Sequence, residues 1–345
     1  MRASLPEAEA ADLAACRAML RQGSRSFAAA AHLLPADVRD PAVALYAFCR
    51  AADDVVDRDG LGQAGVASLR QRLALIYAGR PLPMPADRAL ARVVDRFALP
   101  RILPEALLEG FAWDVEGRRY ADLSALRGYA VRVAGTVGAM MAVLMGVRDT
   151  PRLARAIDLG VAMQLFNIAR DVGEDARAGR LYLPTAWLEE AGICPVRFLA
   201  APTHTPALGQ VVRRLLDTAT AQAQSAQPGI ARLPMACRFG IGAASLLYAE
   251  IGAEVARRGL DAVTARAVVS SRRKAWVLAR DLAGHAWSWQ APTACVMREA
   301  AWLVDAVAQT PPRSLAAPAW WNIADRARTF IDLLERLEQR ERVRL

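Results

Sequence analysis

Between Pro151 and Gly179 the chain reads as one unbroken helix. Thr150-Pro151 opens it, because a proline at the first helical position lacks only an N–H that would go unpaired anyway. Leu153, Ile157, Val161 and Leu165 then recur at helical spacing, and Gly179 supplies a stop. At ~1.5 Å per residue such a rod spans roughly 40 Å. A fold containing it must be organised along its length.

The flanking sequence repeats the same signals. Asp40-Pro41 predicts an N-cap and first turn for a helix running to about Asp57. Leu103-Pro104 and Thr205-Pro206 open others, and helices are expected at about 239–258 and 262–283. No stretch alternates with period two, and no internal repeat is visible. The apolar fraction, 54%, is mostly Ala, Leu and Val with only 6% aromatics, which favours helix over sheet. The expected class is all-α, with helices packed around a central space.

The formal charge is +9, and Lys274 is the single lysine, so arginine carries the surplus. That balance suits diphosphate, acidic lipid or nucleic acid. The arginines are dispersed and no nucleic-acid reader motif appears, so no nucleic-acid partner is expected. Five scattered cysteines lack zinc or redox spacing, which predicts reduced thiols. The N-terminal segment has acids and no apolar core, so it does not read as a signal peptide. The longest uncharged apolar run, between Arg132 and Arg148, is shorter than the ~20 residues of a span. A cytoplasmic protein is expected, with peripheral contact to the inner face of the membrane left open. Gln309-Thr310-Pro311-Pro312-Arg313-Ser314 reads as a linker, dividing a body, 1–308, from a tail, 309–345. The tail carries an amphipathic helix from Trp320 to about Leu337, suited to dock on the body, a second subunit or a membrane.

Two acid clusters interrupt the apolar helices: Asp53-Asp54-Val55-Val56-Asp57 and Asp171-Val172-Gly173-Glu174-Asp175. In each, aspartates four apart share a helix face. Like charges at that spacing cost a helix ~0.2–0.5 kcal/mol per pair, and Asp57 sits near a C-terminus, where the macrodipole disfavours anions. Local stability does not explain them, whereas a bound cation does. Tyr46 and Arg50 share the first face; Asn167 shares the second, with Arg170 adjoining and Arg177 and Arg180 following. Hard oxygens suit Mg²⁺ held jointly with substrate phosphates, and arginines offer fixed donors to diphosphate. Arg177 reads equally as an ion-pair partner of the acids. Arg273 and Lys274 fit either the phosphates or the surface. His32, His204 and His285 have no constellation around them and read as structural, and Trp287 and Trp289 as core or interface.

Tyr46-Ala-Phe-Cys-Arg50-Ala-Ala-Asp53-Asp54-Val-Val-Asp57 resembles the first aspartate-rich motif of the squalene/phytoene synthase family. The run from Asn167 through Arg170, Asp171, Asp175 and Arg180 to Leu181-Tyr182-Leu183-Pro184 resembles its second. Asp114-Val-Glu-Gly-Arg118-Arg119-Tyr120 and Tyr129-Ala-Val-Arg132-Val-Ala-Gly135-Thr-Val-Gly138 also match in order, and Ser24-Arg-Ser-Phe27 resembles the flap over the diphosphate. The similarity runs from about residue 15 to 290, nearest to the bacterial phytoene-forming members.

The resemblance implies an isoprenoid-synthase helical bundle around a central cavity. It implies a prenyltransferase that joins two geranylgeranyl diphosphates head to head, through a cyclopropyl diphosphate, to phytoene. The rival is squalene or dehydrosqualene formation from farnesyl diphosphate. Mg²⁺, with Mn²⁺ as a substitute, would be held by Asp53, Asp57, Asn167, Asp171 and Asp175, and no NADPH is expected. Ser24, Phe27, Tyr46, Arg50, Asn167, Arg170, Arg180 and Tyr248 would face the diphosphates, and Tyr129 the reacting carbons. The stretch 133–147, rich in Gly, Ala and Met, reads as a smooth wall for a prenyl chain, or as a close helix contact through Gly135 and Gly138. The oligomeric state is not legible.

Overall fold

The computed structural model describes residues 5–23, 25–57, 62–284 and 295–310, and all regular structure in them is helical. The N-terminal half holds α1 (Leu5–Gly23), α2 (Arg25–His32), α3 (Ala36–Asp57), α4 (Gly62–Tyr77), α5 (Pro85–Phe97), α6 (Ile102–Val115), α7 (Leu123–Ala130) and α8 (Thr136–Leu144), with a π-helical turn, Val131–Gly135, joining the last two. Then follow α9 (Thr150–Arg177), α10 (Thr185–Glu190), α11 (Pro195–Ala200), α12 (Pro206–Ala231), α13 (Met235–Arg257), α14 (Ser271–Gly284) and α15 (Ala301–Ala308). The expected C-terminal helix, His285, Trp287 and Trp289 lie outside the described residues.

The rod expected from Pro151 is α9, the axis of the fold. Asp149 caps it, its carboxylate accepting from the Arg152 N–H at 3.2 Å. Gly179, at φ +77°, lies just beyond its end. The predicted stripe of Leu153, Ile157, Val161 and Leu165 is fully buried, and α8, α12 and α13 pack against the rod. Two glycines set how closely α8 approaches. A Cβ at Gly138 would stand 2.2 Å from the Ala156 carbonyl oxygen, and one at Gly160 2.2 Å from that of Ala134. The glycines of 133–147 thus make the close contact with α9, while Val133, Val137 and Met141 line a cavity.

Two expectations are corrected. The first acidic helix starts at Ala36, so Pro41 lies inside it and Asp40 is not its cap. Pro35 provides the entry, its carbonyl accepting from Val38 and Arg39 at 3.1 and 2.8 Å. Asp40 instead accepts from Arg17 at 2.8 Å. Pro41 lies early enough that its missing N–H deprives only one first-turn carbonyl. The helix expected over 262–283 begins only at Ser271. Asp261 Oδ1 accepts from the Val263 and Thr264 N–H groups at 3.0 and 2.9 Å, which fixes a turn in place of a helical start. Next to it, the Ala262 carbonyl accepts from Gly173 of α9 at 2.9 Å. This segment is a strap laid across α9, and Gly173 makes room for it: a Cβ there would stand 2.4 Å from the Val263 oxygen.

Among the described residues α13 is the one helix long and apolar enough to cross a membrane, with 44% of its apolar window buried. Here it packs on α9, α12 and α14 and lines the central cavity. The cysteines are free thiols.

Candidate active site

The two acid helices converge on Asp114, near the end of α6. This carboxylate is within electrostatic reach of Asp53 on one side and Asp175 on the other. On α3, Asp53 and Asp54 are 41% and 29% exposed, and Arg50 reaches both, at 3.3 and 2.9 Å. The backbone of Asp57 closes the helix, but its side chain lies outside the described residues, as do Ser24 and the side chain of Phe27.

On α9 the surroundings are tighter. Asp171 is 16% exposed and is gripped from two directions. Arg170 Nε donates to it at 2.6 Å, and Arg266, from the strap segment, donates through Nε and Nη2 at 2.9 and 3.2 Å. Arg266 also lies 3.5 Å from Glu174. Asp175 is pushed up to about 7, first by burial and then by the charge of Asp171, with Arg180 opposing. Arg177 forms no ion pair with the acids among the described residues; its Nη1 donates to the Val263 carbonyl at 3.0 Å and ties down the strap.

Between the acids lies an aromatic cluster. Tyr182 donates to Asp114 Oδ1 at 2.7 Å and Tyr129 to Oδ2 at 2.9 Å. Their rings stack at 5.1 Å, and Tyr120 packs 5.2 Å from Tyr129. Burial pushes Asp114 up to about 6 against the opposing effect of both hydroxyl bonds, and holds the Tyr129 hydroxyl well above its usual range. Asp114 and Tyr182 stood in matched motifs without a role, and the hydrogen bonds give them one: they position Tyr129.

From this end a cavity of about 310 Å³ runs into the bundle. Tyr46, Asn167 and Tyr248 line its acidic end, with Tyr248 hydrogen-bonded to Asn167. Beyond them the lining is largely apolar and follows one face of α9 back to Arg152, about 22 Å away along the helix. The expected residues Tyr46, Arg50, Asp53, Tyr129, Asn167, Arg170, Asp171, Asp175, Arg180 and Tyr248 thus gather at this end. Arg273 does not: it pairs with Glu250 at 2.8 Å and stacks on Trp276. Arg266 was missed because it fell inside the stretch read as helix; the only sequence signal was Asp261-Ala-Val-Thr264, an aspartate before β-branched residues.

Among the described residues no three acidic, histidine or cysteine side chains form a ready metal cluster. The donor chemistry nonetheless fits Mg²⁺, since each helix offers hard carboxylates and leaves positions for phosphate oxygens. The repulsion from Asp171 that adds to burial in raising Asp175 is what a cation there would relieve.

Comparisons with known proteins agree with this geometry. The profile of the squalene/phytoene synthase family matches residues 20–274. The chain is 57% identical over 272 residues to the phytoene synthase of Rhodobacter capsulatus, covering 78% of this chain and 80% of the relative. It is 48% identical to that of Cereibacter sphaeroides, over 96% of this chain and 95% of the relative. Among solved structures, a dehydrosqualene synthase in complex with a ligand superposes with a TM-score of 0.73 at 30% identity, covering 80% of this chain and 96% of that one.

Proposed function

Because the chain belongs to the squalene/phytoene synthase family, we propose that it joins two geranylgeranyl diphosphates head to head to give phytoene. It is a prenyltransferase of isoprenoid, carotenoid-forming metabolism. The observation that carries the choice of substrate is the cavity, whose lining along α9 runs about 18 Å from Asn167 to the buried Arg155. Sixteen chain carbons, at roughly 1.2 Å per extended bond, measure ~18 Å, whereas the twelve of farnesyl diphosphate measure ~13 Å.

The reaction breaks the C1–O bond of one substrate. The resulting allylic cation is captured by the C2–C3 double bond of the other, and loss of a proton closes a cyclopropane. A second ionisation, rearrangement and proton loss complete the product. Asp53, Asp57, Asn167, Asp171 and Asp175 would hold Mg²⁺, which when bound neutralises the departing diphosphate. Arg50, Arg170, Arg180 and Arg266 add charge-assisted donors, Arg170 and Arg266 by exchanging Asp171 for phosphate oxygens. Tyr46 and Tyr248 close the acidic end of the chain cavity, and by the family resemblance Ser24 and Phe27 would contact the diphosphates. Tyr129, its hydroxyl bonded to the Asp114 carboxylate, offers a relay for the departing proton. The apolar walls keep water from the cations. No NADPH step is needed, and Mn²⁺ is the expected substitute metal.

Incubation of the purified protein with each diphosphate and Mg²⁺, with and without NADPH, tests this. The expected product is phytoene from geranylgeranyl diphosphate, independent of NADPH. Product from farnesyl diphosphate alone would overturn the choice in favour of the squalene-type reading. The proposal also takes 1–308 as the catalytic body and 309–345 as an accessory tail, so truncation after Ala308 should retain turnover. It has the protein working in the cytoplasm and touching the inner membrane face, supported by the +9 charge and the oily product. Flotation with anionic and neutral liposomes measures that contact.

A further inference from the structure

The far end of the cavity is not apolar. Arg155 lines it, although its side chain is only 7% exposed, and the half-buried Arg152 follows one turn further out. Arg155 Nε lies 2.9 Å from Asp158 Oδ2, and Nη2 donates to the Cys295 carbonyl at 3.0 Å. Nη1 has no hydrogen-bond partner among the described residues. Asp158, 2% exposed, accepts from Gln222 Nε2 of α12 at 2.7 Å. Gly229 of α12 packs against the base of this arginine: a Cβ there would stand 2.3 Å from Arg155 Cβ. A buried ion pair with one unsatisfied donor is an expensive way to finish a hydrocarbon pocket, and nothing at the acidic end uses it.

Its position along α9 gives it a use. The cavity-lining residues of α9 fall on one face from Asn167 back to Arg152, so the helix graduates the pocket. Asn167 to Arg155 is twelve residues, about 18 Å. That equals the ~18 Å of an extended sixteen-carbon prenyl chain, while a twelve-carbon chain stops ~5 Å short and a twenty-carbon one, at ~23 Å, must pass the guanidinium.

We propose that the Arg155–Asp158–Gln222 cluster is the length gauge of the prenyl site, ending it at four isoprene units. This rests on the reading that an allylic prenyl diphosphate binds with its head at the acid helices. A longer chain would press methyl groups against a charged pair fixed by α12, and would either strip the remaining polar contacts of Arg155 or stay unburied. The gauge thus sets the upper limit, and lost apolar contact disfavours shorter chains.

The test is a competition assay on the full-length enzyme. Geranylgeranyl diphosphate and the C25 homologue, geranylfarnesyl diphosphate, are supplied together, and products are counted by mass. In Arg155→Leu/Asp158→Leu, which removes both charges and so strands neither, the share of C25-derived product is expected to rise at least about tenfold over wild type. Arg155→Lys, which keeps the charge, should hold the wild-type ratio. An unchanged ratio in the leucine pair would overturn the gauge, because a merely structural pair alters stability and not the C25:C20 ratio. Should the leucine pair not fold, wild-type affinities for unreactive thiolodiphosphates of C15, C20 and C25 decide. The C20 compound should bind at least about tenfold tighter than C25, and equal or tighter binding of C25 refutes the proposal. If the wild type binds and turns over no prenyl diphosphate at all, the functional reading itself has failed, which is a distinct outcome.

Discussion

On α3, Asp53 and Asp54 are partly exposed and pair with Arg50, one turn back. On α9, Asp171 is half enclosed and held both by its neighbour Arg170 and by Arg266 from a strap ninety-five residues on. An exposed ion pair within one helix is worth ~0–1 kcal/mol and yields readily. A clamp assembled from two elements fixes where a carboxylate sits before anything binds. The difference teaches that two similar aspartate motifs supply different things: α9 a preset anchor, α3 an adjustable second jaw.

The largest expected effect treats both jaws alike in chemistry and separates them in stability. Asp53→Ala and Asp171→Ala should each lower kcat by about 10³-fold or more. Asp171→Ala should also cost the fold about 3 kcal/mol, since it strands the half-buried Arg170, whereas Asp53→Ala should stay within about 0.5 kcal/mol. Denaturant melts of both variants would break the comparison if the two losses came out equal.

Gly173→Ala comes next. Its methyl would meet the Val263 carbonyl at 2.4 Å, so the strap must lift, at a cost of about 2 kcal/mol. With the strap displaced, the KM for the diphosphate should rise, while the matching position on α3, two residues after the first aspartate, is already Val55, so that jaw needs no such gap. A Gly173→Ala enzyme with wild-type KM and melting temperature would remove the strap from the picture.

Arg266→Gln isolates the clamp from the strap that carries it. Loss of one charge-assisted donor should raise KM about tenfold with kcat changed only a few-fold. Steady-state kinetics that show kcat falling and KM fixed would instead make Arg266 a group acting only in the transition state.

The smallest effect concerns Asp114, which stands between the jaws. Its folded-state pKa, about 6, is raised above the ordinary 3.8, chiefly by burial. A raised carboxyl stabilises the fold while it is protonated, and that contribution is lost as pH climbs through about 6. Asp114→Asn does not titrate, so its melting temperature should gain a few degrees relative to wild type between pH 5 and pH 8. A gap that stays flat across this range, in paired thermal melts, would mean the carboxyl is ionised throughout.

Most of the frame was legible because it rests on local rules. The stripe from Leu153 to Leu165 and the stop before Gly179 predicted α9, and Thr205-Pro206 predicted the start of α12, where Thr205 accepts from the Leu208 N–H at 3.1 Å. The acid motifs located the site through their cost to their own helices. What stayed hidden depends on distant partners. The strap looks helical in sequence, and besides the local Asp261 turn it is Gly173 and Arg177, almost ninety residues earlier, that hold it extended. Arg266 follows from that misreading. Asp40-Pro41 was read as a cap because Pro35 offers an equally good entry five residues earlier, and the helix takes the longer run. Arg155 and Asp158 gave no signal at all, since an i,i+3 Arg–Asp pair on a helix is ordinarily a surface feature.

The strap has one more consequence. Because its start is tied to Gly173, Arg266 is a counter-ion on a short leash, present at Asp171 at an effective concentration set by the tether and not by the solution. A free divalent ion arriving alone must compete with that resident charge. An ion arriving with a diphosphate brings the guanidinium an alternative anion, so the exchange becomes nearly even. Under the proposed function, metal loading and substrate loading would thereby be thermodynamically linked, and the site would resist filling with metal while no substrate is there to use it.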